Sequence, residues 1–306
     1  MTANHSDQAF RQQIIGGALV FFGAILFSTK AVLVKLAYQY EIDSISLLAL
    51  RFSFSLPFYL GMNWWWRRKQ TEVYQMNRKE WLQLALVGIM GYYLASLLDF
   101  IGLQYITASM ERLILFLYPT VVVIISFLFF RKPIYRSQVI ALVLTYIGIG
   151  LAFFEGLRLS DQPNFALGGF LVFLCAIAYA MYLIGSGEII PKLGTIRFTS
   201  LALTMSSIAI LLQHLILYQW DLFGFAWQVY AMALLMAVIA TVIPSFLVSE
   251  GIRLIGASNA SIVGSVGPIS TIILAYIFLG ERLGPLQFVG TGIVILGVLL
   301  VTLKKQ

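Results

Sequence analysis

The sequence is poor in the residues that build most catalytic and metal sites. It has one cysteine, Cys175, and two histidines, His5 and His214, in 306 residues. A disulfide framework, a multi-cysteine metal centre and a paired-histidine zinc motif are thereby excluded. Charge is also scarce: Asp, Glu, Lys and Arg make up 11% of the chain, against 60% hydrophobic residues and a mean hydropathy of +0.91. A water-soluble fold needs far more polar surface, so the expected solvent is the bilayer. No phosphate loop with its Lys-Ser/Thr pair is present, which argues against ATP hydrolysis. No acidic pair lies within one turn inside an apolar run, and no Gly/Ser-rich linker or low-complexity segment interrupts the chain. Cofactors and metals are therefore not expected. The net charge of +7 does not require a nucleic-acid partner, because the basic residues sit in short connections between apolar runs.

Apolar runs long enough to cross roughly 30 Å of hydrocarbon fall at 14–37, 44–66, 81–103, 108–130, 135–155, 167–189, 196–218, 226–249, 257–279 and 285–303. The expected fold is an all-α integral membrane protein of ten transmembrane helices. The first run follows a polar tail and has no small-residue cleavage site after it, so it is expected to be a retained helix rather than a signal peptide.

The second half repeats the first. Gly16–Gly17–Ala18–Leu19–Val20–Phe21 returns 152 positions later as Gly168–Gly169–Phe170–Leu171–Val172–Phe173. Further along the shift is 149, and Ile106, Ala108, Ser109, Pro119 and Gly148 meet Ile255, Ala257, Ser258, Pro268 and Gly297. The chain thus divides into 1–155 and 156–306, each expected to carry five spans. A unit with an odd number of spans must be inverted in its second copy, and inverted repeats mark secondary transporters.

Basic residues set the orientation. With a cytoplasmic N-terminus, the inner segments hold fourteen: Arg11, Arg67, Arg68, Lys69, Arg78, Lys79, Arg131, Lys132, Arg136, Lys192, Arg197, Arg253, Lys304 and Lys305. The outer connections hold only Arg158 and Arg282. This bias predicts that both termini are cytoplasmic. Trp64, Trp65, Trp66 and Trp81 then sit at the inner interface, as an aromatic belt requires.

Leu50–Arg51–Phe52 early in span 2, Ala257–Ser258–Asn259–Ala260–Ser261 opening span 9, Pro268 within it and Leu279–Gly280–Glu281 after it carry a family resemblance. With the ten spans in two repeats, they resemble the drug/metabolite transporter superfamily, specifically its EamA-type bacterial members. One departure is Phe130–Arg131–Lys132, where the second repeat has Leu279–Gly280–Glu281. The resemblance implies a bacterial inner-membrane transporter of small metabolites, amino acids and related compounds being the usual cargo and export the expected direction. A proton-coupled drug carrier or a nucleotide or cofactor carrier of the same superfamily stands as the alternative, with protons as candidate coupling ion. A membrane-embedded enzyme or a scaffold has less support in the residues.

Ionisable residues inside a bilayer are costly and are functional candidates by default. At about 1.5 Å per residue, Lys30 and Asp99 rise to roughly 24 Å above the inner surface, while Arg51, Glu111 and Arg112 lie within roughly 10 Å of the outer one. All five share the outer third on four helices, where opposite charges are expected to pair. Lys30, with Ser28 and Thr29 beside it, is the candidate substrate-binding cation; Arg51, Asp99, Glu111 and Arg112 are candidates for gating or coupling. Asp99 reads equally as a proton-coupling carboxylate or as a static partner of Lys30 or Arg51. Glu188 and Glu250 form a sparser inner counterpart, read as a second gate or as interfacial charges. Tyr92, Tyr118 and Tyr182 lie within spans, where their hydroxyls need partners, and together with Ser265 they complete the candidate substrate contacts. Pro119, Gly264 and Pro268 are candidate hinges. His214 is read as packing.

Overall fold

The computed structural model describes residues 2–70, 74–130, 136–159 and 164–303. Among them the chain is helical between short connections and holds no strand. In hydrocarbon every backbone polar group must be satisfied within its own segment, which an apolar run achieves by coiling into a helix. The helices are α1 Thr2–Tyr38, α2 Ser44–Lys69, α3 Arg78–Gly88, α4 Ala95–Gly102, α5 Ala108–Leu115, α6 Tyr118–Phe130, α7 Arg136–Leu159, α8 Phe165–Leu193, α9 Thr195–Tyr218, α10 Trp227–Ala237, α11 Ile243–Val263, α12 Gly267–Leu279 and α13 Pro285–Leu303. Among the described residues, seven helical stretches are long and apolar enough to cross a membrane, and Tyr146–Glu155 and Gly267–Leu279 are shorter apolar helices.

The ends are set by local chemistry. The Asp43 carboxylate accepts the Ile45 and Ser46 amides at 2.9 Å each and starts α2, while Asn77 and Glu80 form a reciprocal capping box at α3. The connection expected between spans 8 and 9 falls inside α11, where one residue, Gly256, turns the chain at φ 78° and ψ 160°. Only glycine enters that region without strain.

Two kinds of interruption recur at equivalent places. The expected run 108–130 is divided: α5 stops at Leu115 and α6 restarts at Tyr118, ahead of Pro119. Likewise a 3-10 turn, Gly264–Val266, separates α11 from α12, whose first turn carries Pro268. A proline has no N–H to give and its ring crowds the carbonyl four residues back, so each helix breaks just before it. The second pair was not legible in the sequence. A π-helical segment, Ile89–Leu94, joins α3 to α4, and another, Val238–Val242, joins α10 to α11. Their first residues are 149 positions apart, the shift of the sequence repeat.

The helices pack mainly across the halves. Helix α1 lies along α11, α4 along α8, α2 along α9, α5 against α12 and α7 against α13. Small residues permit the closest approaches. Gly16, Gly23 and Gly251 lie at the α1–α11 seam, where added methyl groups would run into Ile255, Val248 and Val20.

Candidate functional site

Four of the five predicted outer charges meet in one layer near the end of the bundle that carries Glu281. Lys30 Nζ of α1 lies 2.6 Å from Asp99 Oδ2 of α4 and 3.7 Å from Glu111 Oε1 of α5. Arg112 Nε lies 3.6 Å from Glu111 Oε2, and its Nη2 donates to the Phe27 carbonyl at 3.2 Å. Both carboxylates are fully buried and the Lys30 side chain is 12% exposed. Two cations thus face two anions, which offsets the cost of taking them out of water. Ion pairs between α1, α4 and α5 thus hold the layer together.

Arg51 does not join this layer. Its Nε donates to the Thr241 hydroxyl at 2.6 Å, and its guanidinium lies 5.1 Å and 5.4 Å from the Phe52 and Phe100 ring centroids. Thr241 belongs to the π segment Val238–Val242, and Tyr92, 149 positions earlier, belongs to Ile89–Leu94. Both positions are buried.

Tyr92 faces Tyr182, the two hydroxyls 2.8 Å apart. From there the rings continue as a ladder: Tyr182 stacks at 5.8 Å on Tyr179, and Tyr179 meets Tyr118 edge to face at 5.1 Å. The Tyr118 hydroxyl donates to the Ser261 carbonyl at 3.1 Å and would collide with any side chain at Gly264. Tyr179 is not among the candidates drawn from the sequence; its spacing of three from Tyr182 on α8 was the available signal.

Lys30, Arg51, Arg112, Tyr92, Tyr118, Tyr179, Gly264 and Pro268 line one central cavity with residues of both halves. Along α1 it runs from Lys30 to Val20, about 15 Å at the helical rise. Its volume is about 90 Å³. Ligand pockets usually offer roughly 300–1,000 Å³, so this cavity is a small one. Its apolar wall includes Phe27, Leu115 and Phe116.

Beyond the ionic layer further hydrogen bonds join the helices at the Glu281 end. The Glu281 carboxylate accepts the Ala108 and Ser109 amides at 2.8 Å and 3.0 Å and the Ser109 hydroxyl at 2.7 Å, so it caps α5 from the far half of the chain. Lys35 donates to the Leu103 carbonyl at 2.8 Å and Tyr38 to the Phe100 carbonyl at 2.6 Å. Sequence comparison marked Glu281 only as a residue absent from the first repeat. Ser28, which bridges α1 to α12 through the Gly267 carbonyl at 3.0 Å, was noted only as a neighbour of Lys30.

At the opposite end Glu250 is half-buried, accepts the Thr195 hydroxyl at 2.6 Å and pairs with Arg253. Glu188 is exposed. Pro119 and Pro268 stand at the helix breaks described above. The side chain of Ser265 lies outside the described residues. His214 is buried and lies 3.2 Å from the Ser46 hydroxyl.

Among known proteins, the chain is 29% identical over 286 residues to the uncharacterized transporter YcbK of Bacillus subtilis, covering 92% of this chain and 91% of that one. It is 24% identical over 296 residues to an uncharacterized transporter of Archaeoglobus fulgidus, covering 95% and 97%. A solved crystal structure shares the fold at a TM-score of 0.69 and 16% identity, over 94% of this chain and 96% of the other. The EamA-like transporter family matches residues 14–154 and again 166–303, almost the whole of the helical bundle. This multi-span membrane protein, with its ion-paired layer and tyrosine-lined cavity, belongs to the EamA-like transporter family.

Proposed function

We propose that the chain is a secondary active transporter of a small polar metabolite, working by alternating access between two inverted five-helix repeats, 1–155 and 156–306. The observation that carries this reading is a cavity lined by both halves and sealed at one end by an ion-paired layer. The packing supports the inversion. If the ten expected runs are numbered as spans, α1 on α11 pairs span 1 with 8, and α4 on α8 pairs 3 with 6. Exchanging the halves turns one of these pairs into the other and leaves 2 with 7, 4 with 9 and 5 with 10 unchanged.

The basic residues supply the orientation: both termini in the cytoplasm of a bacterial inner membrane, with the Glu281 end outside. In that frame Lys30, Asp99, Glu111 and Arg112 form the outer gate, held by both carboxylates rather than left open to cargo. Glu250, with Thr195 and Arg253, serves the inner side, while Pro119, Gly264 and Pro268 let spans 4 and 9 bend. Tyr92, Tyr118 and Tyr182 meet the substrate, and net flux is export. Purified protein in liposomes should show saturable counterflow of labelled members of a metabolite panel. Absence of counterflow across the panel, with protein shown to be inserted and monodisperse, would overturn the assignment.

One observation favours proton coupling in particular. Lys30 bridges both carboxylates, so a proton arriving on Asp99, its nearer partner at 2.6 Å, would leave the cation only Glu111 at 3.7 Å and loosen the layer. Asp99→Asn or Glu111→Gln should abolish the stimulation of flux by a pH gradient. Gradient-driven flux persisting in both variants would leave the carboxylates a purely structural role.

A further inference from the structure

In the ionic layer Lys30 and Arg112 are balanced by Asp99 and Glu111, and Arg51 stands outside that balance. Among the described residues no carboxylate lies within ion-pair distance of its guanidinium. Its polar partner is the neutral Thr241 hydroxyl, and its Nη1 has no hydrogen-bond partner although the residue is only 2% exposed. Two aromatic faces compensate the charge in part. Further hydroxyls lie on the helices around it. The Tyr59 hydroxyl lies two turns along α2 from Arg51, and the Ser245 and Ser249 hydroxyls, one and two turns beyond Thr241, are buried beside the Tyr92 hydroxyl. A buried cation with a donor nitrogen left unpaired is costly unless something occupies the space beside it. Arg51 also lines the central cavity, together with Tyr92, Tyr118 and Tyr179.

We infer that Arg51 is the counter-ion of the cargo, and that the cargo is a small monocarboxylate with an apolar or aromatic body. This rests on the transport reading above. One uncompensated positive charge asks for one negative charge, and the planar guanidinium fork matches a carboxylate. The serine and tyrosine hydroxyls can donate to the lone pairs that the fork leaves free. The tyrosine ladder, Phe27 and Phe116 then cover the rest of the molecule. A cationic cargo would need a free carboxylate, and the two beside the cavity are already held by Lys30.

The test uses full-length protein in lipid nanodiscs, with phenylacetate and benzoate against phenylacetamide and phenethylamine, read by calorimetry and thermal shift. The acids should bind about tenfold or more tighter than the amide. Equal binding of acid and amide, tighter binding of the amine, or no binding of either acid at millimolar concentration overturns the inference. Arg51→Gln, confirmed monodisperse, should erase the preference while leaving amide binding within about twofold; a preference kept in that variant overturns the inference as well. Should Arg51→Gln fail to fold, the acid–amide comparison on the unaltered protein decides alone. Counterflow separates the two proposals. Selective acid binding without counterflow of any solute sinks the transport reading alone, whereas counterflow of neutral or cationic solutes that excludes carboxylates sinks this one alone.

Discussion

Lys30 is the side chain on which the ionic layer depends most, because it neutralises carboxylates from two different helices. Lys30→Met would leave Asp99 and Glu111 buried and facing each other with Arg112 alone for compensation. Breaking a buried pair by removing one partner typically costs about 3–5 kcal/mol, so the midpoint of thermal unfolding should fall sharply and transport should be lost. Adding Asp99→Asn to Lys30→Met removes one of the orphaned charges and should recover much of that stability. A double variant no more stable than the single one would show that the lysine acts by packing rather than by charge. The meeting of these four charges was legible, since helical rise converts sequence position into depth. Which cation would be left over was not. Lys30 and Arg51 both lie toward the Glu281 end, and the rotation of each helix about its axis decides that one faces two carboxylates and the other a threonine. That rotation is a product of packing, to which the hydropathy of a uniformly apolar run is blind.

Among the helical elements, the proline breaks and the π segments come from different physics and were unequally visible. Although Pro57 and Pro191 lie inside α2 and α8, Pro119 and Pro268 announce themselves because proline lacks the N–H of the helical ladder and crowds the preceding turn. Replacing either by alanine should restore a continuous hydrogen-bond ladder, keep or raise thermal stability, and slow counterflow by about tenfold if bending of spans 4 and 9 limits turnover. Unaltered counterflow in both variants would mean that the breaks are structural only. The π segments carry no comparable residue signature. Each is an extra residue accommodated within an α-helix where the surrounding contacts make it favourable, and each places a buried polar side chain, Tyr92 on Tyr182 and Thr241 on Arg51. Their equivalent placement in the two halves emerged only when the helices were packed. Glu281 belongs with them: its capping of α5 joins positions 172 and 173 residues apart, a separation no local motif encodes.

For the molecule as a whole, the arrangement in the membrane is open to a direct check. Cys175 is buried and is the sole cysteine, so single introduced cysteines report without background. Glu41→Cys, exposed in the connection between α1 and α2, should react with a membrane-impermeant maleimide on intact cells. Lys69→Cys, exposed at the other end of α2, should react only after permeabilisation. The reverse pattern would place the ionic layer on the cytoplasmic side and exchange the two gates. The same labelling at Gln104, beside the Glu281 cap, should increase in Glu281→Gln if that cap holds the outer end shut.

Composition, the length of the apolar runs, the internal repeat and the asymmetry of basic residues are one-dimensional quantities. They suffice for a membrane-spanning helical protein with a candidate layer of charge, because the bilayer constrains length, polarity and loop charge directly. The partner of each charge, the ladder of tyrosines, the paired π segments and the isolation of Arg51 depend on helix rotation and on contacts between residues far apart in the chain. Those were resolved when the two halves closed on each other, since close packing rather than hydropathy sets the angle at which each apolar helix presents its few polar groups.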